Sequence, residues 1–440
     1  MKLAIASCCG PIALSLSLGL SLSLGSSAPA LGQEPAPNRP EPLWNGKDLS
    51  GWHGQRHLSP YALAAMPAEE REALRAEDDA TMRTHWRVEA GELINDGEGA
   101  YLTTDRVFGD AVFELDYKTV ALADSGIYLR GCPQVQIWDT TEAGGKWDLG
   151  ADKGSGGLWN NERNERFPEV VADKPFGEWN HLRIVQCGER VWVELNGKPT
   201  VRGVRMENYW DRALPLPATG PIQLQTHGGE IRFRNLTVRE LPADEANALL
   251  RTIDGGPWTS LFDGKSFAGW QGDVESYEIV DGAIQCKAGK GGNLFSQSRY
   301  GDFAARLQFR LPPGGNNGLA IRYPGKGDPA YAGFELQVLD NTAEAYATLK
   351  PWQYHGSVYG VAPSKRGYLR PVGSWNFQQI MVQGSHVVVE LNGTQILDVD
   401  IQDLPSNLHD HVGKDNPSGF FGFCGHNDPV AFRAVELKAL

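Results

Sequence analysis

The stretch "LFDGKSFAGW" (Leu261–Trp270) has an earlier near-copy, "LWNGKDLSGW" (Leu43–Trp52), about two hundred positions upstream. Both copies lead into the same succession of phrases. "WRVEAGELI" (Trp86–Ile94) answers "YEIVDGAIQ" (Tyr277–Gln285), and "VFGDAVFELDYK" (Val107–Lys118) answers "RYGDFAARLQFR" (Arg299–Arg310). "SGIYLR" (Ser125–Arg130) answers "NGLAIR" (Asn317–Arg322), and "QVQIWD" (Gln134–Asp139) answers "ELQVLD" (Glu335–Asp340). "GEWN" with "VWVELNG" (Gly177–Asn180, Val191–Gly197) answers "GSWN" with "VVVELNG" (Gly373–Asn376, Val387–Gly393). "LQTHGGEIRFR" (Leu224–Arg234) answers "FCGHNDPVAFR" (Phe423–Arg433). Six blocks kept in order make the chain a tandem duplication, with halves at 41–241 and 258–440 and a polar, helix-leaning junction at 242–257.

Each block alternates apolar and polar residues over five to eight positions between Gly, Asn or Pro, the pattern of a half-buried antiparallel strand. "VELNG" before a further strand reads as a hairpin with an Asn-Gly turn. The expectation is two all-β sandwiches side by side, a division that suits 440 residues with 52 Gly and 27 Pro. The insert at 59–84 departs from the repeat. Its "PAEEREALRAEDDA" has Pro at a helix start and acids in the first turn, which predicts a surface helix, with a lid over a site as the alternative.

A net charge of −13 argues against nucleic-acid binding, since no basic field offsets phosphate repulsion. Lys2, the apolar run "PIALSLSLGLSLSLG" (Pro11–Gly25) and the small residues after it read as a signal peptide over 1–32, too short and Ser-rich for a membrane span. The expected location is therefore secreted or periplasmic, with no transmembrane segment after cleavage. Cys8 and Cys9 would leave with the leader. Cys132, Cys187, Cys286 and Cys424 permit three disulfide connectivities, with four buried thiols the favoured alternative.

Period-two alternation sorts side chains by face. Phe334, Leu336 and Val338 point to the core, so Glu335 and Gln337 point away; Arg322 opposes Leu319 and Ile321. In the first half the same rule turns out Tyr128 and Arg130, then Gln134, Gln136 and Trp138, then Gln223 and Gln225 leading to His227, then Arg232 and Arg234. Amides, guanidinium groups and aromatics on one face suit hydroxyl-rich sugars better than an ordinary solvated sheet does, so the expected ligand is a carbohydrate. "HDH" (His409–His411) lacks a third spaced ligand, and no cofactor motif is evident; a divalent metal held by loop oxygens would leave no sequence trace.

The opening phrase, "NGLAIR", "FELQVLD", "GSVYG", "GSWN…VVVELNG" and the terminal "H…FR" resemble the 3-keto-disaccharide hydrolase family, whose domains are also described as 3-keto-glucoside lyases or hydratases. The resemblance spans both halves and implies a concanavalin A-like lectin/glucanase jelly roll in each. It also implies cleavage of 3-keto-glycosides by elimination followed by hydration. A ketone at C3 acidifies the C2 proton, so one general base suffices. On that implication Glu335 is the base, Arg322 and Arg433 hold an oxyanion or hydroxyls, and His426 protonates the leaving oxygen. Tyr359 and Gln337 position the ring, and Asp340 is a candidate second acid. The first half has Gln134 where the second has Glu335. It is therefore read as a binding site made of Tyr128, Arg130, Gln136, Trp138, Asp139, Trp159, Gln225, His227 and Arg234, with catalysis expected in the second half. The second half departs from the family's ending at Cys424, where the first half has Gln225. A non-catalytic carbohydrate-binding protein is the alternative.

Overall fold

The repeated opening phrase is a turn that delivers a tryptophan to a core. In this computed structural model, which describes residues 39–440, the Asn45 side chain accepts from the Lys47 and Asp48 amides, and Asp263 accepts from those of Lys265 and Ser266. Asn and Asp favour such turns because a short acceptor side chain reaches the backbone two residues on. Each turn leads to a buried indole, Trp52 in the first half and Trp270 in the second.

Each half is a jelly-roll sandwich of an eight-stranded sheet on a five-stranded one, with the same strand order in both. In the first half the five-stranded sheet runs Trp52–Gln55, Tyr101–Thr104, Ile222–Leu224, Asp124–Leu129, Cys132–Trp138. In the second it runs Trp270–Gly272, Gly291–Tyr300, Gly419–His426, Asn316–Tyr323, Phe334–Leu339. Alternation decides the packing. Leu102, Ile127, Leu129, Val135, Ile137 and Leu224 join one core, and Leu294, Leu319, Ile321, Phe334, Leu336 and Phe423 the other. The opposite face of each small sheet is left for other work.

The junction packs between the sandwiches. Helix Ala243–Leu250 turns Ala246 and Leu250 onto Cys187 and Phe377. Beside it, buried Glu390 of the second half accepts from Arg190 and Arg205 of the first, at 2.6 Å each. Burial alone would raise that carboxyl, but the two guanidinium groups outweigh it and hold the pKa below the usual value. The turns Cys187–Arg190 and Asn392–Thr394 abut so closely that a Cβ on Gly188 would lie 2.3 Å from the Asn392 carbonyl oxygen.

The insert holds two helices, Pro60–Ala65 capped by Ser59 and Ala68–His85 beginning after Pro67. The longer one packs on strand Trp52–Gln55, where the Gly54 amide donates to Asp79 and the Arg56 amide to Asp78. The four cysteines are free and buried, so the disulfide alternative does not hold. The expected leader, with Cys8 and Cys9, lies outside the described residues. Among the described residues no helix is long and apolar enough to cross a membrane.

Candidate functional site

The outward face of the first five-stranded sheet is the floor of a cavity of about 250 Å³. Tyr101, Asp124, Tyr128, Gln134, Gln136 and Trp138 rise from its strands, and Gln225 and His227 lie just beyond the strand Ile222–Leu224. Loops supply Lys146, Trp159, Asn160 and Tyr209, and His57 enters from the chain just before the helical insert. The crossing of Gln134 over its neighbour requires a glycine, because a Cβ on Gly126 would lie 2.8 Å from that of Gln134. His57 sits among rings, with its centroid 4.7 Å from Trp210 and 5.9 Å from Tyr128.

At the centre Asp124 orients a histidine. His227 Nδ1 lies 2.8 Å from Asp124 Oδ2, which also accepts from Lys146 Nζ, while Gln136 Nε2 donates to Asp124 Oδ1 at 2.8 Å. The hydrogen bond to Asp124 raises the His227 pKa above its ordinary value, and burial of the ring works against it. Burial by itself would raise Asp124, yet the bonds from His227 and Lys146 keep it lowered and ionised. His57 goes the other way: burial, then the neighbouring His227, depress it. Two imidazoles in one cavity are thus driven apart in basicity, which is how a site separates acid–base roles. Burial also pushes the Tyr101 and Tyr128 hydroxyls up, so both stay protonated and able to donate.

Three acceptors along the wall have no partner among the described residues: Gln134 Oε1, Gln225 Oε1 and Asn160 Oδ1. Gln134 and Gln225 are each 5% exposed, and a buried polar atom left unbonded costs about 1–3 kcal/mol. Such a cost is recovered when a ligand donates.

Of the residues expected from sequence, Tyr128, Gln136, Trp138, Trp159, Gln225 and His227 meet in this cavity. Arg130 does not. Its backbone is left-handed (φ 57°), the alternation ends there, and the buried guanidinium donates to the Pro217 carbonyl and Asp110. Arg322 repeats this at φ 50°, donating to the Gly301, Gly384 and Asn416 carbonyls and to Asp302. It therefore shares no hollow with Glu335. Asp139 and Asp340 are turn caps, accepting from Thr141 and Leu122, and from Thr342 and Gly314. Arg234 and Arg433 sit on the other sheet of their sandwiches, over Trp179 and Trp375, because the chain crosses between sheets after Leu224 and after His426. Tyr359 accepts from Gln353 and stands edge-on to Trp352.

The second half keeps the frame of this site and changes its chemistry. Gln337 Nε2 donates at 2.8 Å to Asn316, the counterpart of Asp124, so the amide bond survives and the carboxylate that would orient His426 is gone. Ala320 stands for Tyr128, Cys424 for Gln225 and Leu339 for Trp138, each in the same strand register. Ala320, Tyr323 and Cys424 pack together with Phe295 and Ala332 over this face. Glu335 does point away from the core, but it is 4% exposed with Oε1 unpartnered, and burial pushes its carboxyl up to about 8. His426 is exposed at the end of its strand. In the "HDH" loop His411 is occupied by Ser406 and the Gly333 carbonyl. Among the described residues no three His, Cys, Asp or Glu side chains are grouped to hold a metal ion.

Sequence reading passed over Asp124, Lys146, His57, Tyr101, Asn160 and Tyr209. Asp124 could have been found, as the acid directly ahead of a repeated block whose other copy has Asn316 there. The loop residues carried no pattern.

Fold and cavity define a tandem jelly-roll protein with an aromatic-walled polar cleft on its first sandwich. The chain belongs to the family of 3-keto-alpha-glucoside-1,2-lyase-like domains, whose model matches residues 39–239 and again 257–438. A relative from Bacteroides thetaiotaomicron, a 3-keto-disaccharide hydrolase, is 28% identical over 246 residues, covering 46% of this chain and 85% of its own. Among solved structures, a putative glycosyl hydrolase from Parabacteroides distasonis is 25% identical with a TM-score of 0.38, covering 42% of this chain and all of its own. The carbohydrate-binding module CBM66 from Bacillus subtilis is 14% identical with a TM-score of 0.28, again over 42% of this chain and all of its own.

Proposed function

We propose that the chain cleaves 3-keto-glycosides, and that the chemistry takes place in the first sandwich. The observation that carries this is the Asp124–His227 pair, in which Lys146 and Gln136 fix the buried carboxylate and the imidazole stands exposed at the wall of a sugar-sized cavity. With Nδ1 turned to Asp124, His227 has Nε2 left for substrate. It takes the C2 proton that the C3 ketone has acidified, and the charge moves to the ketone oxygen. Tyr128 and Tyr101, kept protonated by burial, are the donors within the cavity for that oxygen. The C1–O bond then breaks, a C1–C2 double bond forms, and the imidazolium returns its proton to the departing oxygen. Water adds across the double bond, hydroxyl to C1 and proton to C2, with His227 carrying the proton between them. The sum is hydrolysis, and one base serves both steps.

A purely binding role would be served by the unpartnered acceptors of Gln134, Gln225 and Asn160. It gives no purpose to a carboxylate-oriented imidazole whose basicity is raised. The test is turnover of a 3-keto-disaccharide in D₂O, followed by NMR. Deuterium at C2 of the released 3-keto-sugar, in wild type and not in His227→Ala, is expected. Product without C2 label would replace elimination by direct hydrolysis, and no product at all would leave only the binding role.

A further inference from the structure

The loop that supplies Lys146 also builds the mouth of the cavity. Two short turns, Trp147–Leu149 and Ala151–Lys153, come after Lys146, so a single segment places a cation on Asp124 and, three residues on, Leu149 at the rim. Leu149 is 43% exposed, and Phe167 beside it is 41% exposed. They form one surface: Trp159 Nε1 donates to the Leu149 carbonyl at 2.9 Å, and Phe167 lies so near the next residue that a Cβ on Gly150 would be 2.2 Å from its ring. The Arg166 guanidinium stands 4.9 Å from the Trp159 ring and 5.2 Å from the Phe167 ring, tying the two together. Exposed apolar groups that adjoin a polar cavity mark a binding surface more often than scattered ones do.

The division of chemistry along the cavity is sharp. The acceptors without a partner among the described residues, Gln134 Oε1, Gln225 Oε1 and Asn160 Oδ1, are on the cavity wall, where a sugar ring's hydroxyls would donate. About 250 Å³ holds one such ring and little else, so the group attached at C1 must rest on the rim. There it meets Leu149, and beyond it Phe167, which packs against the next residue, Gly150. Arg166 covers one face of both Trp159 and Phe167, and Trp138 stands edge-on to Trp159 at 6.2 Å, so Trp159 contributes an edge and Phe167 its uncovered face.

We infer that Leu149, Phe167 and the edge of Trp159 form a leaving-group platform that takes a flat, apolar aglycone in preference to a second sugar. This rests on the proposed cleavage of 3-keto-glycosides and adds the class of substrate. The physical basis is burial of exposed apolar area together with ring–ring contact at Phe167.

The experiment compares 3-keto-glucosides with methyl, benzyl and glucosyl groups at C1. Benzyl is chosen over phenyl because its alkoxide is close in basicity to methoxide, so the benzyl-to-methyl ratio reports contact and not leaving-group chemistry; the glucosyl compound, a better leaving group, is compared through KM. The expected kcat/KM for benzyl exceeds that for methyl by roughly fivefold to tenfold, carried by KM, and its KM lies below that for glucosyl. Phe167→Ala and, separately, Leu149→Ser bring the benzyl-to-methyl ratio down to about one; both side chains are exposed, so the fold is not at stake. Equal turnover of benzyl and methyl, a benzyl preference that survives both substitutions, or a KM for glucosyl below that for benzyl each overturns the platform while leaving the cleavage reaction standing. If none of the three is cleaved, the reaction falls and the platform is judged by tryptophan-fluorescence titration with the same compounds. Tighter benzyl binding lost in Phe167→Ala upholds the platform, and equal binding removes it.

Discussion

The two sandwiches share strand order, register and opening turn, yet among the described residues a carboxylate bonds the site's histidine in the first and not in the second. The contrast between Asp124 with His227 and Asn316 with His426 is a single side-chain oxygen exchanged for nitrogen. A neutral amide preserves the bond from the neighbouring glutamine and so preserves the fold. It does not raise the basicity of an imidazole. Around it, Tyr128, Trp138 and Gln225 have given way to Ala320, Leu339 and Cys424, and apolar packing has replaced a cleft. A duplicated frame thus keeps what holds the sheet together while the side chains of its outward face diverge.

The largest test of this contrast is paired substitution. His227→Ala is expected to lower kcat/KM for a 3-keto-glucoside roughly 10²- to 10⁴-fold, whereas His426→Ala leaves it within about twofold; steady-state kinetics on both would invert the assignment of halves if the losses were reversed. Next is Asp124→Asn, which copies the second half's residue into the first. The base works only when unprotonated, and Asp124 raises its pKa, so wild-type activity should climb with pH through a value above the usual histidine range of about 6.5. The variant should lose roughly a hundredfold in rate and move its acid limb to lower pH. An unmoved limb would detach Asp124 from the base.

Glu335 gives a stability counterpart. Its carboxyl, raised from 4.5 to about 8, keeps its proton in the folded chain while the unfolded chain gives it up. Stability should therefore decline as pH rises from about 4.5 to 8, since the folded state binds the extra proton. Glu335→Gln should flatten that decline in denaturant titrations at several pH values, an effect of up to about 5 kcal/mol across the window. It should leave turnover close to wild type. Loss of turnover would restore Glu335 as the base. The smallest effect is expected at the paired positions Gln225 and Cys424. Gln225→Leu should raise KM roughly three- to tenfold by removing an acceptor for a sugar hydroxyl, and Cys424→Ala should leave KM unchanged.

Much of the floor of the site was legible because a strand alternates with a period of two. Tyr128, Gln136, Trp138 and Gln225 could be placed on one face from their spacing alone. The errors fall where that rule stops. Arg130 and Arg322 occupy left-handed backbone at strand ends, and Arg234 and Arg433 lie past the point where the chain changes sheets. Glu335 was assigned correctly to the outward face, but outward did not mean open: it is buried, with its carboxyl lying across Gly318 and beside Ala320.

Repetition, turn chemistry and alternating hydrophobicity are local properties, and through them the chain by itself specified two sandwiches of common topology and the outward face of each small sheet. Whether a face became a cleft or a packed surface was settled by residues far apart in sequence. Asp124 meets His227 and Lys146 only when a strand, the chain beyond another strand and a loop converge. An imidazole's basicity depends on what stands within a few ångströms of it, and that distance is set by tertiary packing.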